Sequence, residues 1–196
     1  MANSIFPLQR KIILASQSPR RKQLLQDAGF EHIVIRPLDV DESFSDQMPV
    51  DEVAPYLAHK KALAGKHLLQ ESDEVLLTAD SVVILGDKIY NKPADYVEAR
   101  YMLEQLSGQA HRVITGVCLC SLEKEKVMAV ESKVFMADLT SEEIDYYVNK
   151  YQPYDKAGSY AIQEWIGLCK ITHIEGTFTN IMGLPVHLVY QELLQF

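Results

Sequence analysis

Asp80 sits in the middle of Val75-Leu76-Leu77-Thr78-Ala79-Asp80-Ser81-Val82-Val83-Ile84-Leu85, an apolar run otherwise suited to a buried strand. A carboxylate there is costly unless it is paired, binds a metal or opens on a cleft. The alternative is an Asp at a strand end that bonds to a turn. We favour function, because an ionisable group inside an apolar run is otherwise hard to justify. Glu42, in the acidic stretch Leu38-Asp39-Val40-Asp41-Glu42, is a second carboxylate, whose commonest setting is a solvated loop. Together the two have the chemistry to hold a divalent metal or to activate water.

Cations complement them. Ser16-Gln17-Ser18-Pro19-Arg20-Arg21 reads as a tight turn into a helix, with Ser18 as N-cap and Pro19 as first helical residue. Arginines in a first helical turn oppose the macrodipole unless an anion is present, and a phosphate suits the unpaired N–H groups there. A capped helix with two solvated arginines is the other reading. Lys61 shares one helical face with Ala54, Leu57 and Ala58, so it must snorkel or meet an anion, whereas Lys60 faces water. Lys92-Pro93 returns a further cation close to the Asp80 strand. Arg20, Arg21, Lys61 and Lys92 facing Glu42 and Asp80 would suit a nucleoside triphosphate bound with its metal ion.

The elements that must carry these residues follow from the patterning. Lys11–Ala15 reads as a buried strand, and Leu24, Leu25 and Ala28 line the helix after it, with Gly29 as its stop. A second helix is expected from near Asp51 to Leu69, with Pro55 in its first turns and Gly65 as a weak point. Residues 75–85 form a strand that turns at Gly86-Asp87 into Lys88-Ile89-Tyr90. Asp95 caps a helix bearing Ala99, Met102, Leu103 and Leu106. Residues 112–121 and 127–139 pair as strands. Thr140-Ser141-Glu142-Glu143 is a capping box that opens a helix with Ile144, Tyr147, Val148 and Tyr151 on one face. Gln152–Ser159 reads as a polar loop, Cys169–Ile174 as a strand, and Gly183-Leu184-Pro185 leads into a last helix through Leu194. Strands, helices and hairpins in this mixture make an α/β protein with a mixed sheet.

Composition bounds the function. The chain has 196 residues, 19 Lys+Arg and 27 Asp+Glu, and a formal charge of -8, which argues against a general nucleic-acid or membrane-surface binder. Three cysteines, Cys118, Cys120 and Cys169, are too few for a disulfide framework and fit a reducing compartment. No apolar run is long enough to span a membrane and no secretory leader is legible, so a cytoplasmic location is expected. His111, His173 and His187 lack metal-ligand spacing, and Cys118-x-Cys120 lacks the second pair of a structural zinc site. The common phosphate loop, the dinucleotide fingerprint and the hydrolase nucleophile elbow are all absent.

The order of these motifs resembles the Maf proteins, which are nucleoside triphosphate pyrophosphatases. The likeness runs through Ile13-Leu14-Ala15-Ser16-Gln17-Ser18-Pro19-Arg20-Arg21, Leu57-Ala58-x-x-Lys61-Ala62 and Ala79-Asp80-Ser81-Val82-Val83. It continues through Lys92-Pro93, Leu106-Ser107-Gly108-x-x-His111 with Thr115, Asp155-Lys156-Ala157-Gly158-x-Tyr160-x-Ile162-Gln163 and Gly183-Leu184-Pro185. The resemblance implies one domain over 1–196, with two lobes around a central cleft in a mixed α/β fold of the inosine triphosphatase type. It implies hydrolysis of a nucleoside triphosphate to the monophosphate and diphosphate with Mg²⁺ or Mn²⁺. It makes Asp80 the proton acceptor, Ser16, Arg21, Lys61 and Lys92 the phosphate contacts, and Glu42 with Asp80 the metal-side carboxylates.

Arg20, Ser81 and Gln163 resemble the specificity positions of the dTTP/UTP branch of that family, with Ser81 standing where Thr is usual. The branch acting on 7-methylated GTP resembles Ser-Pro-Tyr-Arg instead. Gln carries both a donor and an acceptor, which suits reading a pyrimidine edge. A homodimer is expected by the same analogy. The competing class is a non-catalytic regulator of septum formation that acts by binding another protein.

Overall fold

The computed structural model describes residues 7–196. Its described residues form seven strands and seven α-helices with short 3₁₀ turns, in the sheet order β2-β1-β3-β5-β6-β7 and with β4 on β3. The strands are β1 (Lys11–Leu14), β2 (His32–Ile35), β3 (Glu74–Leu85), β4 (Lys88–Tyr90), β5 (Ala110–Cys120), β6 (Glu125–Met136) and β7 (Ile171–Glu175). The helices are α1 (Pro19–Asp27), α2 (Val50–Gly65), α3 (Tyr96–Leu106), α4 (Ser141–Tyr151), α5 (Trp165–Cys169), α6 (Phe178–Ile181) and α7 (Val186–Leu193). The mixed α/β architecture expected from the patterning is the one found: β1 runs parallel to β2 and β3, while β3–β4 and β6–β7 are antiparallel.

The chain divides into two compact units. The first comprises residues 7–80, Thr115–Val130 and Gly183–Phe196, and the second comprises Ser81–Ile114 and Glu131–Met182. In the first unit β1 is buried along Ile12–Leu14 and fixed in register on β3, with Lys11 opposite Glu74 and their side chains 2.6 Å apart. Helix α1 starts at Pro19 with Ser18 as N-cap and stops before Gly29, whose φ of 85° is the left-handed value that a helix stop requires. Helix α2 keeps Pro55 in its interior and gives way at Gly65 to a 3₁₀ turn over Lys66–Leu68, four residues short of the expected α-helical end. It lies so close to β5 that a Cβ on Gly116 would stand 2.3 Å from the backbone of Ala54 and Pro55. Cys118 and Cys120 are buried in this unit, and burial pushes the Cys118 thiol up to about 12.

In the second unit Asp95 caps α3 through the N–H of Glu98, and the Thr140–Glu143 capping box opens α4. Ala99, Met102, Leu103, Leu106, Ile144, Tyr147 and Val148 form its core. Three expectations need correction. Residues 169–170 end a short helix, and β7 begins only at Ile171. Strand β6 ends at Met136, not 139. The polar stretch 152–159, expected as a loop, makes two 3₁₀ turns, and Pro153, Lys156, Gly158 and Ser159 are buried. Lys156 turns inward because its ammonium finds Asp155 at 2.7 Å and Glu164 at 3.4 Å, while the Asp155 side chain stays exposed.

His111 is buried, with Nε2 2.6 Å from the Tyr160 hydroxyl and Nδ1 lacking a partner among the described residues. Burial holds its pKa down at about 4. Between the ordinary value near 6.5 and about 4, the unfolded chain therefore binds the extra proton. The contribution is whole above pH 6.5 and drains away as the pH falls toward 4, on the order of 3 kcal/mol in all. Urea midpoints of wild type and His111→Gln at pH 7 and pH 4.5 check this: the wild type should lose more stability on acidification than the variant. Equal losses would contradict it.

Candidate active site

The site of the first unit is built on β3 and α2. Side chains alternate along a strand, so Thr78 and Asp80 share one face of β3. Thr78 donates its hydroxyl to the Ala58 carbonyl of α2 at 2.7 Å. One helical turn further on, Lys61 places its ammonium 2.5 Å from Asp80 Oδ1 and 2.7 Å from Glu42 Oε1. A strand of period two and a helix of period near four thus meet at two successive points, one structural and one charged. The side chains of Lys61 and Asp80 are 13% and 14% exposed, which strengthens their attraction over that of an open surface pair, while Glu42 is 47% exposed. Lys60, beside Lys61, instead pairs with exposed Asp41 at 3.1 Å.

The turn between β1 and α1 supplies the second half. Ser16 is buried, and its hydroxyl accepts from the Ser18 N–H at 3.2 Å and from Arg21 Nη1 at 3.3 Å. Arg21 Nε donates to the Gly183 carbonyl at 2.7 Å, so Gly183-Leu184-Pro185 orients this guanidinium. Burial lowers the Arg21 pKa, the fields of Asp80 and Glu42 raise it, and Arg20 acts against it; a guanidinium stays cationic throughout. Ser18 occupies the N-cap position without a side-chain capping bond. The first turn of α1 contains no acid, unlike α2 with Asp51 and Glu52 or α4 with Glu142 and Glu143. A cleft of about 460 Å³ opens at this helix start. Ser16, Gln17, Ser18 and Lys22 form its polar wall, and Pro19, Ile35 and Pro37 its apolar one. The positive helix end and these donors make it a receptive place for an anion.

Ser81 follows Asp80 and turns to the other face of β3. Lys92 and Gln163 belong to the second unit. Lys92 is exposed, next to Asn91, whose carbonyl takes the N–H of Gly158 at 3.2 Å. Gln163 sits in a braced turn: Tyr147, fully buried, donates its hydroxyl to Glu164 Oε2 and accepts the Ala161 N–H at 3.1 Å. The buried Gln163 Oε1 has no hydrogen-bond partner among the described residues. An orphaned acceptor of this kind costs about 1–3 kcal/mol until a donor arrives.

Sequence reasoning missed Thr78 and Tyr147. Thr78 shows only as a polar residue two positions before Asp80 on the same strand face. Tyr147 reads as core because its ring is core, and its hydroxyl gives no periodic signal.

Whether this arrangement suits a divalent metal is decided by its donors. Among the described residues no three His, Cys, Asp or Glu side chains cluster, so the protein's own contribution is the Glu42–Asp80 pair. One ammonium spans both carboxylates, so they lie within reach of one ion. Mg²⁺ is commonly held by one or two carboxylates, with waters and substrate phosphates completing the shell. The residues fit.

The family model described as Maf-like protein matches residues 11–196. A Parabacteroides distasonis protein named dTTP/UTP pyrophosphatase is 50% identical over 188 residues, covering 95% of this chain and 96% of its own length. A Porphyromonas gingivalis protein of the same name is 48% identical over 190 residues, covering 95% and 94%. A third, from Bacteroides thetaiotaomicron, is 46% identical over 183 residues, covering 93% and 94%. The matched span takes in β1 with its Ser16–Arg21 turn, the Lys61–Asp80 pairing and the Gln163 turn. Matched by that family model over residues 11–196, the chain belongs to the Maf family.

Proposed function

We propose that this protein is a nucleoside triphosphate pyrophosphatase that converts dTTP and UTP to dTMP and UMP with release of diphosphate. The observation that carries the reading is the pair of carboxylates Asp80 and Glu42 gathered on Lys61, with Arg21 in their field. The names of the relatives agree with it. They do not favour the regulator of septum formation.

Asp80 accepts the proton of the water that attacks the α-phosphorus. The bond from that phosphorus to the oxygen bridging to the β-phosphate breaks, and the diphosphate leaves with the electron pair. Ser16, Arg21, Lys61 and Lys92 hold the phosphates and compensate the charge that grows on the leaving group. Mg²⁺ or Mn²⁺, when held by Glu42 and Asp80, would supply charge neutralisation to the triphosphate. Arg20 and Ser81 shape the pocket for the base. A homodimer in the cytoplasm completes the proposal. No helix of the described residues is long and apolar enough to cross a membrane.

Gln163 reads the base. Uracil and thymine present an N3–H flanked by two carbonyl oxygens, and a buried Oε1 without a donor is suited to that N–H. Cytosine presents an acceptor at N3 and carries its donor on the 4-amino group instead, so Oε1 in the same place meets no N–H. Gln163→Leu is therefore expected to lower kcat/KM for UTP and dTTP by about 10–100-fold. CTP and GTP should lose far less. Diphosphate release measured with dTTP, UTP, CTP, GTP and 7-methyl-GTP tests both the activity and the assignment. A zero rate with every nucleotide removes the proposed activity; equal proportional losses in the variant mean that the base is read elsewhere.

A further inference from the structure

Lys61 is proposed above as a phosphate contact, yet its ammonium lies on Asp80 at 2.5 Å and on Glu42 at 2.7 Å. It stands between the two carboxylates that would hold the divalent ion. We propose that Lys61 is a placeholder cation. It occupies the metal's position until a triphosphate draws the ammonium away, so that metal and nucleotide bind as a coupled pair. This rests on the reading of Glu42 and Asp80 as the metal-side carboxylates.

Charge and mechanics both support the exchange. Lys61 pairs with Asp80 and Glu42, and Arg21 lies in the field of both carboxylates and of Arg20, so the two negative charges already meet at least as many positive ones. A divalent ion arriving alone would add positive charge to this half-buried cluster and would have to displace an ammonium from both of its own donors. A triphosphate brings several negative charges and offers the ammonium new acceptors, which uncovers the carboxylates when the cluster needs a cation. The backbone need not move. The buried α2 face holds Ala58 and Ala62 on either side of Lys61, and Thr78 grips the Ala58 carbonyl. The four-carbon stem of a lysine swings freely beyond such an anchor. By reciprocity, whatever factor the nucleotide adds to metal affinity, the metal adds to nucleotide affinity.

The test is Mn²⁺ binding by the whole chain, followed through the paramagnetic resonance signal of free Mn²⁺. Wild type, Lys61→Met and Lys61→Arg are titrated without nucleotide and again with non-hydrolysable α,β-imido-dUTP. Without nucleotide, Lys61→Met should bind Mn²⁺ roughly tenfold or more tighter than wild type, while Lys61→Arg, which keeps the charge, stays weak. Adding Glu42→Gln to Lys61→Met should abolish the gain. With the analogue, wild-type affinity should rise by about tenfold or more and the Lys61→Met affinity by much less. Lys61→Gln replaces Lys61→Met should the latter melt below assay temperature. Equal or weaker Mn²⁺ binding by the neutral variants overturns the proposal, as does a gain that survives Glu42→Gln. An analogue that binds, as a separate calorimetric titration reads, but leaves Mn²⁺ affinity unchanged overturns the coupling, whereas an analogue that does not bind any form counts against the pyrimidine nucleotide reading and leaves the metal-only comparison to decide the placeholder role.

Discussion

Asp80→Asn is expected to lower kcat by about 10²–10⁴-fold while the protein stays folded. Asn has the shape of Asp but cannot accept the proton of an attacking water. Removing one member of a half-buried ion pair usually destabilises, because the other charge is left alone. Here Lys61 keeps Glu42 at 2.7 Å, so its ammonium retains a partner. The fold should hold while the chemistry fails, a separation that a purely structural Asp80 would not give. Diphosphate release with UTP and dTTP, alongside a thermal melt, reads both. Turnover within a few fold of wild type in a folded variant would remove Asp80 from the proton-accepting role.

Gly116→Ala is the second large effect, and it reaches the site from a distance. The added methyl would meet the backbone of Ala54 and Pro55 at 2.3 Å, and no side chain can rotate away to relieve it. Either β5 or α2 must move. Overpacking of this kind costs about 1–3 kcal/mol, and more where backbone is the obstacle. For a chain of this size, 3 kcal/mol corresponds to a fall in Tm of roughly 6–12 °C. Because α2 also carries Lys61, a shift of this helix moves the anchor from which the ammonium must reach first the carboxylates and then the triphosphate. A misplacement of about 1 Å can cost 10²-fold in rate. We expect kcat/KM for UTP to fall by about that factor even at temperatures where the variant is fully folded. A melt within a degree or two of wild type with unchanged turnover would show that the close approach is not rigid.

Much of the frame is legible in the sequence where a single local cause decides it. Pro19 after Ser18 starts α1, Gly29 ends it, the capping box starts α4, and Gly86-Asp87 folds β3 back into β4. The failures come from partners that no local pattern announces and from elements too short to show a period. Lys156 is buried because Glu164 lies nearby, which no pattern in 152–159 announces. Helices α5 and α6 span five and four residues, too few for a period to show. Asp80 announces itself by standing in an apolar run. Its partner does not: spacing says that Lys61 needs an anion, but only the packing of α2 on β3 shows which anions it meets.

The carbonyl that orients Arg21 belongs to Gly183, 162 residues later in the chain. Biosynthesis runs from the N-terminus at about 5–20 residues per second, so many seconds separate the emergence of these two groups. A nascent chain that already displays Ser16, Arg21, Lys61 and Asp80 still lacks the 183–196 segment that completes their unit. Such a chain has its phosphate-handling side chains without the contact that aims one of them. Until Val189 and Leu193 of α7 arrive to be buried, the apolar surface they cover stays open to water.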